Sequence, residues 1–245
     1  MTAVGVIPAR FASSRFPGKP LVEIAGRPMI QHVWEGARRA KSLREVLVAT
    51  DDERIAEACH AFGARVVLTR GDHPTGTDRI AEVAASLDDE LVVNVQGDEP
   101  TIEGFVIDAA VEALSAAPEV PMATVVHDAS PGAADDPNRV KVALDRHGNA
   151  IVFSRRPIPA PPTPEPRTRV WQHVGLYAYR RSFLQEFVAL AATPGERAQG
   201  LEQLRALEHG HPIRCAVIEG WESRPVDVPA DVARVEAWLA ERGRC

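Results

Sequence analysis

The sequence predicts an α/β protein in which a mostly parallel sheet lies between two layers of helices. In the first hundred residues, short β-branched and aliphatic runs alternate with longer segments whose apolar residues recur at helical spacing. Such a repeat of strand and helix requires parallel strands with crossover helices on both faces. The 245 residues are enough for one large domain. We therefore predict a single Rossmann-like, three-layer domain covering residues 1–245.

The first half contains four predicted strands and four predicted helices. Pro28 suits the first turn of a helix, and Gly63 stands where a helix ends in the left-handed conformation. Residue spacing places the strands at 4–7, 45–50, 65–68 and 91–95. The helices are predicted at 28–40, 52–62, 77–86 and about 103–116.

The second half is less regular and predicts a β-rich insertion at about 125–180. Residues 145–149 are typical of a five-residue hairpin loop, and the proline-rich tract 157–166 can be neither regular helix nor a central strand. Strands are predicted at 122–126, 140–144, 150–154, 170–179 and 213–217. Helices are predicted at 181–190, 196–208 and 229–242.

Composition excludes several classes of protein. Acids outnumber bases by 34 to 28, and this net charge of −6 argues against a general nucleic-acid binder. The three cysteines form no paired motif typical of a zinc site or a disulfide framework. No apolar run reaches the roughly 18 residues of a membrane span, and the N-terminus lacks a basic leader, so we expect a cytoplasmic protein.

A basic segment directly follows the first predicted strand. Residues 8–20 contain Arg10, Arg15 and Lys19 but no acid, together with small residues such as Ser13 and Gly18. The carboxyl end of the first strand is where doubly wound sheets bind phosphates. Neither a P-loop nor a G-x-G-x-x-G motif is present. The segment therefore predicts a polyphosphate site of another kind, the alternative being a solvated basic turn.

Two aspartates are candidate metal ligands. Asp98 follows the fourth strand, and in the strand order 3-2-1-4 it would face the basic segment. A carboxylate that faces a cationic segment fits a site in which Mg²⁺ is bound by the carboxylate together with substrate phosphates. Asp227 precedes the last helix by two residues. Taken alone, Asp98 could cap the helix that follows it, and Asp227 could be an ordinary capping or turn residue.

Eight segments recur together in one known family. They are residues 7–21 (Ile-Pro-Ala-Arg-Phe-Ala-Ser-Ser-Arg-Phe-Pro-Gly-Lys-Pro-Leu), 73–79 (His-Pro-Thr-Gly-Thr-Asp-Arg), 94–100 (Asn-Val-Gln-Gly-Asp-Glu-Pro), 136–142, 153–155 (Phe-Ser-Arg), 173–179 (His-Val-Gly-Leu-Tyr-Ala-Tyr), 201–205 (Leu-Glu-Gln-Leu-Arg) and 226–229 (Val-Asp-Val-Pro). In this combination and order they resemble the 3-deoxy-manno-octulosonate (Kdo) cytidylyltransferases. The first segment alone is shared by many sugar nucleotidyltransferases.

The resemblance implies a nucleotidyltransferase that moves CMP from CTP to the anomeric hydroxyl of Kdo, releases pyrophosphate and serves lipopolysaccharide synthesis. It implies Mg²⁺ as cofactor, held by Asp98 and Asp227, with Lys19 as the third catalytic residue. It also implies a homodimer formed through the insertion. The implied nucleotide-binding residues are Arg10, Ser13, Arg15, Lys19, Thr75, Gly76 and Arg79. The implied acceptor-binding residues are Gln96, Arg155, His173, Tyr177 and Glu202.

Alternatives remain on the acceptor side. His173 and Tyr177 can be read as half-buried sheet residues, and Glu202 as a surface partner of a nearby arginine. Arg156 follows Arg155, so the sequence leaves open which of the two meets an anion. Other acidic acceptors, such as 8-amino-Kdo or a phosphonate, are compatible with the sequence. So is a non-catalytic CTP-binding module, although the complete set of Lys19 and two aspartates disfavours it.

Overall fold

The computed structural model describes residues 2–12, 16–129, 132–159 and 169–243. It divides into two compact units, one formed by Met1–Asp108 with Ser223–Cys245 and the other by Ala109–Glu222. Cys59 and Cys215 are buried free thiols, and Cys245 lies outside the described residues. None of the helices in the described ranges is long and apolar enough to cross a membrane.

The first unit contains a four-stranded parallel sheet in the order β5-β4-β1-β6. Its strands are β1 (Ala3–Ala9), β4 (Leu43–Thr50), β5 (Arg65–Leu68) and β6 (Leu91–Asn94), with a two-residue hairpin of β2 (Glu23–Ile24) and β3 (Arg27–Pro28) beside it. Its helices are α1 (Met29–Ala37), α2 (Glu53–Ala61), α3 (Gly76–Ala84) and α8 (Ala230–Glu241). The sheet has the 3-2-1-4 order in which Asp98 was expected to face the basic segment.

Local sequence explains these elements. Val4, Val6 and Ile7 of β1 are fully buried, as expected for a central parallel strand covered on both faces. Asp52 caps α2 by accepting a hydrogen bond from the backbone N–H of Arg54. The sequence did not predict the β2–β3 hairpin, because two-residue strands are too short to show a periodicity.

The second unit is mixed. β7 (Met122–Asp128) pairs in parallel with β11 (Ile213–Ile218) and antiparallel with β10 (Val170–Arg180). β8 (Lys141–Leu144) pairs antiparallel with β10 and with β9 (Ala150–Ser154), and Asp145 to Asn149 form the loop that the sequence predicts. α4 (Gly104–Ser115) contains the boundary between the units along the chain.

The prediction of one helix at 196–208 was wrong. The structure has two short helices, α6 (Pro194–Gln199) and α7 (Gln203–Glu208), which follow α5 (Arg181–Ala189). Gly200 ends α6 with φ 61°, a left-handed conformation that breaks the helix and that glycine adopts readily. The charged and apolar residues on either side of Gly200 retain helical spacing, which is why the sequence pattern suggested a continuous helix.

Candidate active site

A cleft of about 230 Å³ opens where β1 and β6 end and α3 begins, within the first unit. Carboxyl ends of parallel strands and the start of a helix are the usual site of nucleotide binding in such sheets. Several residues with an implied substrate role line the cleft: Arg10, Lys19, Thr75, Gly76, Arg79, Gln96 and Asp98. The structure therefore gathers residues from three distant segments around one cavity.

Lys19 is presented to the cleft by a tight turn. It begins a short 3₁₀ helix, Lys19–Leu21, preceded by Gly18 with φ 70°. The backbone N–H of Gly18 donates to the carbonyl of Phe11 at 2.9 Å, which draws the two sides of the basic segment together. Arg10 is exposed at the end of β1. Ser13 and Arg15 lie outside the described residues.

Lys19, Asp98 and Asp227 converge. The ammonium Nζ of Lys19 donates to Oδ2 of Asp98 at 2.8 Å and lies 3.6 Å from Oδ1 of Asp227. These two carboxylates stand 129 positions apart in the sequence (227 minus 98). The side chain of Lys19 is 16% exposed, against 29% and 45% for those of Asp98 and Asp227. All three side chains therefore remain partly exposed, and Lys19 and Asp98 line the cleft.

The segment that carries Asp227 is fixed from both sides. The backbone N–H of Val226 donates to the carbonyl of Asp98 at 2.9 Å. The carboxylate of Asp231 accepts from the backbone N–H groups of Asp227 and Val228, at 2.8 and 3.0 Å. Val226 also packs in an apolar cluster with Ile24, Met29, Val235 and Leu239. These contacts hold Asp227 beside Asp98.

Asp98 and Asp227 bring two carboxylates to the same ammonium group, that of Lys19. Mg²⁺ binds through one or two protein carboxylates together with substrate phosphates and water. Over the described ranges there is no group of three or more histidine, cysteine, aspartate or glutamate side chains able to hold a metal ion by themselves. Asp98 and Asp227 therefore fit a divalent ion that arrives with a phosphorylated substrate, and Lys19 neutralises them in the absence of one.

Glu99 is a buried acid that the sequence did not single out. Burial raises the pKa of this carboxyl to about 8, although the hydroxyl of Ser223 donates to it at 2.5 Å. The negative charges of Asp98 and Asp227 raise it further. Its place directly after Asp98 was the available signal, but a sequence does not show that a charged residue is buried.

The start of α3 forms another wall of the cleft. Thr75 caps this helix: its hydroxyl donates to Oδ2 of Asp78 at 2.6 Å and accepts from the Asp78 N–H at 3.1 Å. Gly76 approaches β1 so closely that a Cβ there would lie 3.2 Å from the Pro8 ring. Because the Thr75 hydroxyl is already bonded and Gly76 has no side chain, these two residues present mainly backbone to a ligand.

Arg79 and His73 are paired with acids of the same unit. The guanidinium of Arg79 lies 2.8 Å from the Asp51 carboxylate and also donates to the hydroxyl of Thr69. The imidazole Nε2 of His73 is bonded to Oε2 of Glu82. Glu82 thereby supports a residue that lines the cleft, although it does not line the cleft itself.

Four acceptor-side residues belong to the second unit, and Gln96 belongs to the first. His173 Nε2 and the Thr124 hydroxyl are hydrogen-bonded at 2.9 Å, and the ring packs edge-on against Phe153 and tilted against Tyr177. Burial lowers the pKa of His173 to about 3 and raises that of Tyr177 well above its usual value. Both side chains are therefore neutral at physiological pH.

Arg155 is tied to its own unit. Its Nε donates to the carbonyl of Gln199 at 2.8 Å, and its Nη1 donates to the carbonyl of Pro137 at 3.1 Å. Arg156 is exposed. Glu202 precedes α7, with its carboxylate 3.9 Å from the Arg205 guanidinium, but the close partner of Arg205 is Glu196. The suggested surface pair of Glu202 with Arg205 is thus a minor contact.

Comparison with known proteins finds a matching family model and close relatives. The cytidylyltransferase family model matches residues 4–214. A 3-deoxy-manno-octulosonate cytidylyltransferase of Syntrophotalea carbinolica is 49% identical over 98% of this chain and 99% of its own length. The enzyme of the same name from Solibacter usitatus is 51% identical over 95% of this chain and 92% of its own.

A solved structure of CMP:2-keto-3-deoxy-manno-octonic acid synthetase, complexed with CTP, superposes with a TM-score of 0.91. It is 42% identical and covers 99% of this chain and all of its own. The predicted α/β nucleotidyltransferase fold is thereby confirmed.

Fold, cleft and family model together define a nucleotidyltransferase of the cytidylyltransferase class. The two relatives named above are about half identical to this chain and align with it over nearly their whole length, which narrows the class to one family. The chain belongs to the 3-deoxy-manno-octulosonate cytidylyltransferase family.

Proposed function

We propose that this chain transfers CMP from CTP to the anomeric hydroxyl of Kdo, with Mg²⁺ as cofactor, giving CMP-Kdo and pyrophosphate. The observation that carries the proposal is the convergence of Lys19 with Asp98 and Asp227 in a member of this family, with Lys19 and Asp98 lining the cleft. The names of the relatives and the CTP complex of the similar solved structure support the two substrates.

The reaction joins two anionic molecules. The anomeric oxygen of the acceptor forms a bond to the α-phosphorus of CTP, the bond from that phosphorus to the bridging oxygen breaks, and the hydroxyl proton is released to solvent. Charge accumulates on the phosphate oxygens in the transition state. Lys19, and Arg10 at the end of β1, supply positive charge where the phosphates would lie. Arg15 and Ser13 are assigned to the same task by the resemblance alone.

Asp98 and Asp227 would hold Mg²⁺. Held there, Mg²⁺ would supply electrostatic stabilisation of the negative charge that develops in the reaction. The role of the chain is positional: the Val226–Asp98 backbone bond and Asp231 keep the carboxylates on one side of the cleft. Lys19 neutralises the same carboxylates before substrate arrives and is free to donate to a phosphate afterwards.

Acceptor recognition is assigned, as the resemblance implies, to Gln96, Arg155, His173, Tyr177 and Glu202. Neutral His173 and Tyr177 can exchange hydrogen bonds with sugar hydroxyls without adding charge. Glu202 offers a carboxylate acceptor to further hydroxyls. The acceptor's own carboxylate requires a cation, and the exposed Arg156 is a better candidate than Arg155, whose guanidinium is bonded to two backbone carbonyls.

A homodimer formed through residues 125–180 belongs to the same proposal. In its support, the edge strand β9 exposes 62% of Ile151 to solvent. Sedimentation equilibrium of wild type and Ile151→Glu would test it, with a dimer expected only for wild type.

Because CTP is a cytoplasmic metabolite and CMP-Kdo is consumed in lipopolysaccharide synthesis, the proposal also places the protein in the cytoplasm.

Pyrophosphate release tests the proposed reaction. The protein is incubated with CTP and Mg²⁺ and a panel of acceptors: Kdo, its 8-amino analogue, sialic acid and several phosphonates, with ATP, GTP and UTP in place of CTP as controls. We expect turnover with CTP and Kdo above all other pairs. Preference for a phosphonate would assign a different acceptor, and CTP binding without pyrophosphate would indicate a non-catalytic module.

A further inference from the structure

The cleft has two walls of different electrostatic character. Pro8 lies between them: a Cβ on Gly76 would lie 3.2 Å from its ring, and a Cβ on Gly97 would lie 3.2 Å from its carbonyl oxygen. On the Gly97 side stand Lys19 and Asp98, which suit phosphates and a metal ion. This inference rests on the proposed use of CTP.

On the α3 side, the guanidinium of Arg79 is paired with the carboxylate of Asp51 at 2.8 Å, and the carboxylate of Glu82 lies 3.4 Å from the guanidinium of Arg70. A triphosphate gains little from a guanidinium that already has a carboxylate partner. The resemblance implies Thr75, Gly76 and Arg79 as nucleotide-binding residues, and we accordingly place the base on this side.

His73 is held in one orientation. Its side chain is only 5% exposed yet lines the cleft, and its Nε2 is bonded to the carboxylate of Glu82. Glu82 is itself fixed on α3 and accepts from the backbone N–H of Arg70 at 3.3 Å. A carboxylate can only accept a hydrogen bond, so Nε2 carries the proton. In the neutral imidazole, Nδ1 is then an acceptor.

The other side chains on this wall are less suited to accept a hydrogen bond from a base. The Thr75 hydroxyl is engaged with Asp78 as both donor and acceptor. The guanidinium of Arg79 has donors only, and Gly76 has no side chain. His73 is therefore the side chain of the α3 wall with an acceptor to offer a base.

Cytosine and uracil differ in the exocyclic group that they would present to this acceptor. Cytosine presents an amino group, a donor, where uracil presents a carbonyl oxygen, an acceptor. We propose that His73, oriented by Glu82, distinguishes CTP from UTP by accepting a hydrogen bond from the cytosine amino group at Nδ1. His73 is the specificity residue, and Glu82 is a positioning residue that acts through it.

The test compares CTP with UTP in wild type, His73→Phe and Glu82→Leu. Phenylalanine keeps an aromatic ring of similar size but has no acceptor, and Glu82→Leu changes no side chain that lines the cleft. Calorimetry gives the CTP and UTP dissociation constants, and pyrophosphate release with Kdo gives kcat/KM for both nucleotides. His60→Phe, an exposed histidine on α2, is the matched control.

We expect His73→Phe to lower the ratio of CTP to UTP affinity by about 10- to 100-fold, since a lost hydrogen bond in a buried site costs about 1–3 kcal/mol. UTP binding should be unchanged or tighter. Glu82→Leu should lower the ratio by about 10-fold, and Glu82→Gln, which retains an acceptor for Nε2–H, should restore most of it.

Equal weakening of CTP and UTP in His73→Phe, or no change in either, would overturn the proposal. If His73→Phe does not fold, Glu82→Leu decides the question on the same ratio. Binding is measured apart from turnover, so the two proposals can fail separately. If wild type prefers CTP but forms no CMP-Kdo, the proposed function is contradicted. The present inference is then judged on the two dissociation constants alone.

Discussion

The Glu196–Arg205 pair should control both the stability of the second unit and the position of Glu202. Arg205 donates to the Glu196 carboxylate through Nε at 3.0 Å and Nη2 at 2.5 Å, and the two side chains are only 10% and 13% exposed. The pair links α7 to α6 across the turn at Gly200 that precedes Glu202. We choose Arg205→Met, which removes the charge and keeps much of the volume.

Removing one member of a buried ion pair costs about 3–5 kcal/mol, because the other charge is left without a partner. Since both side chains retain some contact with solvent, we expect Arg205→Met to lower the free energy of unfolding by about 3 kcal/mol. The double variant Glu196→Leu/Arg205→Met removes both charges and should recover most of this loss. Arg197→Met, at an exposed position on α6, should change stability by less than about 0.5 kcal/mol.

Urea unfolding followed by circular dichroism measures these differences. The pair also predicts a pH dependence: Arg205 lowers the pKa of Glu196 below its ordinary value. The stabilisation is therefore present at neutral pH and lost as pH falls through the folded-state pKa, so wild type and Arg205→Met should converge in acid. Stability of Arg205→Met equal to that of Arg197→Met, or no recovery in the double variant, would refute the reasoning.

Further predictions concern the cleft and the acceptor side. Asp98→Asn should abolish turnover while CTP still binds in calorimetry, and full activity would remove Asp98 from the mechanism. Lys19→Ala should lower kcat/KM for CTP by at least about 10-fold, since charged hydrogen bonds contribute roughly 1.5–3 kcal/mol, and an unchanged value would contradict its placement. Arg156→Ala should raise KM for Kdo and leave the free energy of unfolding nearly unchanged. Arg155→Ala should lower the free energy of unfolding and leave KM for Kdo nearly unchanged. The reverse pattern would exchange their roles. Because the pKa of Glu99 is raised to about 8, Glu99→Gln should gain stability relative to wild type as pH rises towards that value, and parallel pH curves would contradict its burial as an acid.

Much of this architecture could be predicted from sequence. The alternation of strands and helices predicted a mostly parallel sheet, and the meeting of Lys19 with Asp98 was expected for one common strand order of such sheets, which the structure has. Both features depend on the order of strands and helices along the chain, and that order can be predicted from the sequence. The Mg²⁺ cofactor and the roles of individual residues remain predictions.

What the sequence did not reveal depends on side-chain direction and burial. Nothing local marks Glu99 as a buried acid or Glu82 as the partner of His73, because each stands in a pattern typical of a surface helix or turn. Likewise, the helix predicted at 196–208 failed at Gly200, where one backbone conformation outweighs the helical spacing around it.

Metal binding to the nucleotide complex tests the central claim most directly. Mn²⁺, used in place of Mg²⁺ because it is visible by electron paramagnetic resonance, is titrated into wild type, Asp98→Asn and Asp227→Asn in the presence of saturating CTP. The account predicts that each substitution weakens Mn²⁺ binding by at least about 10-fold, since each removes one of the two carboxylate ligands. Wild-type Mn²⁺ affinity in both variants would contradict it.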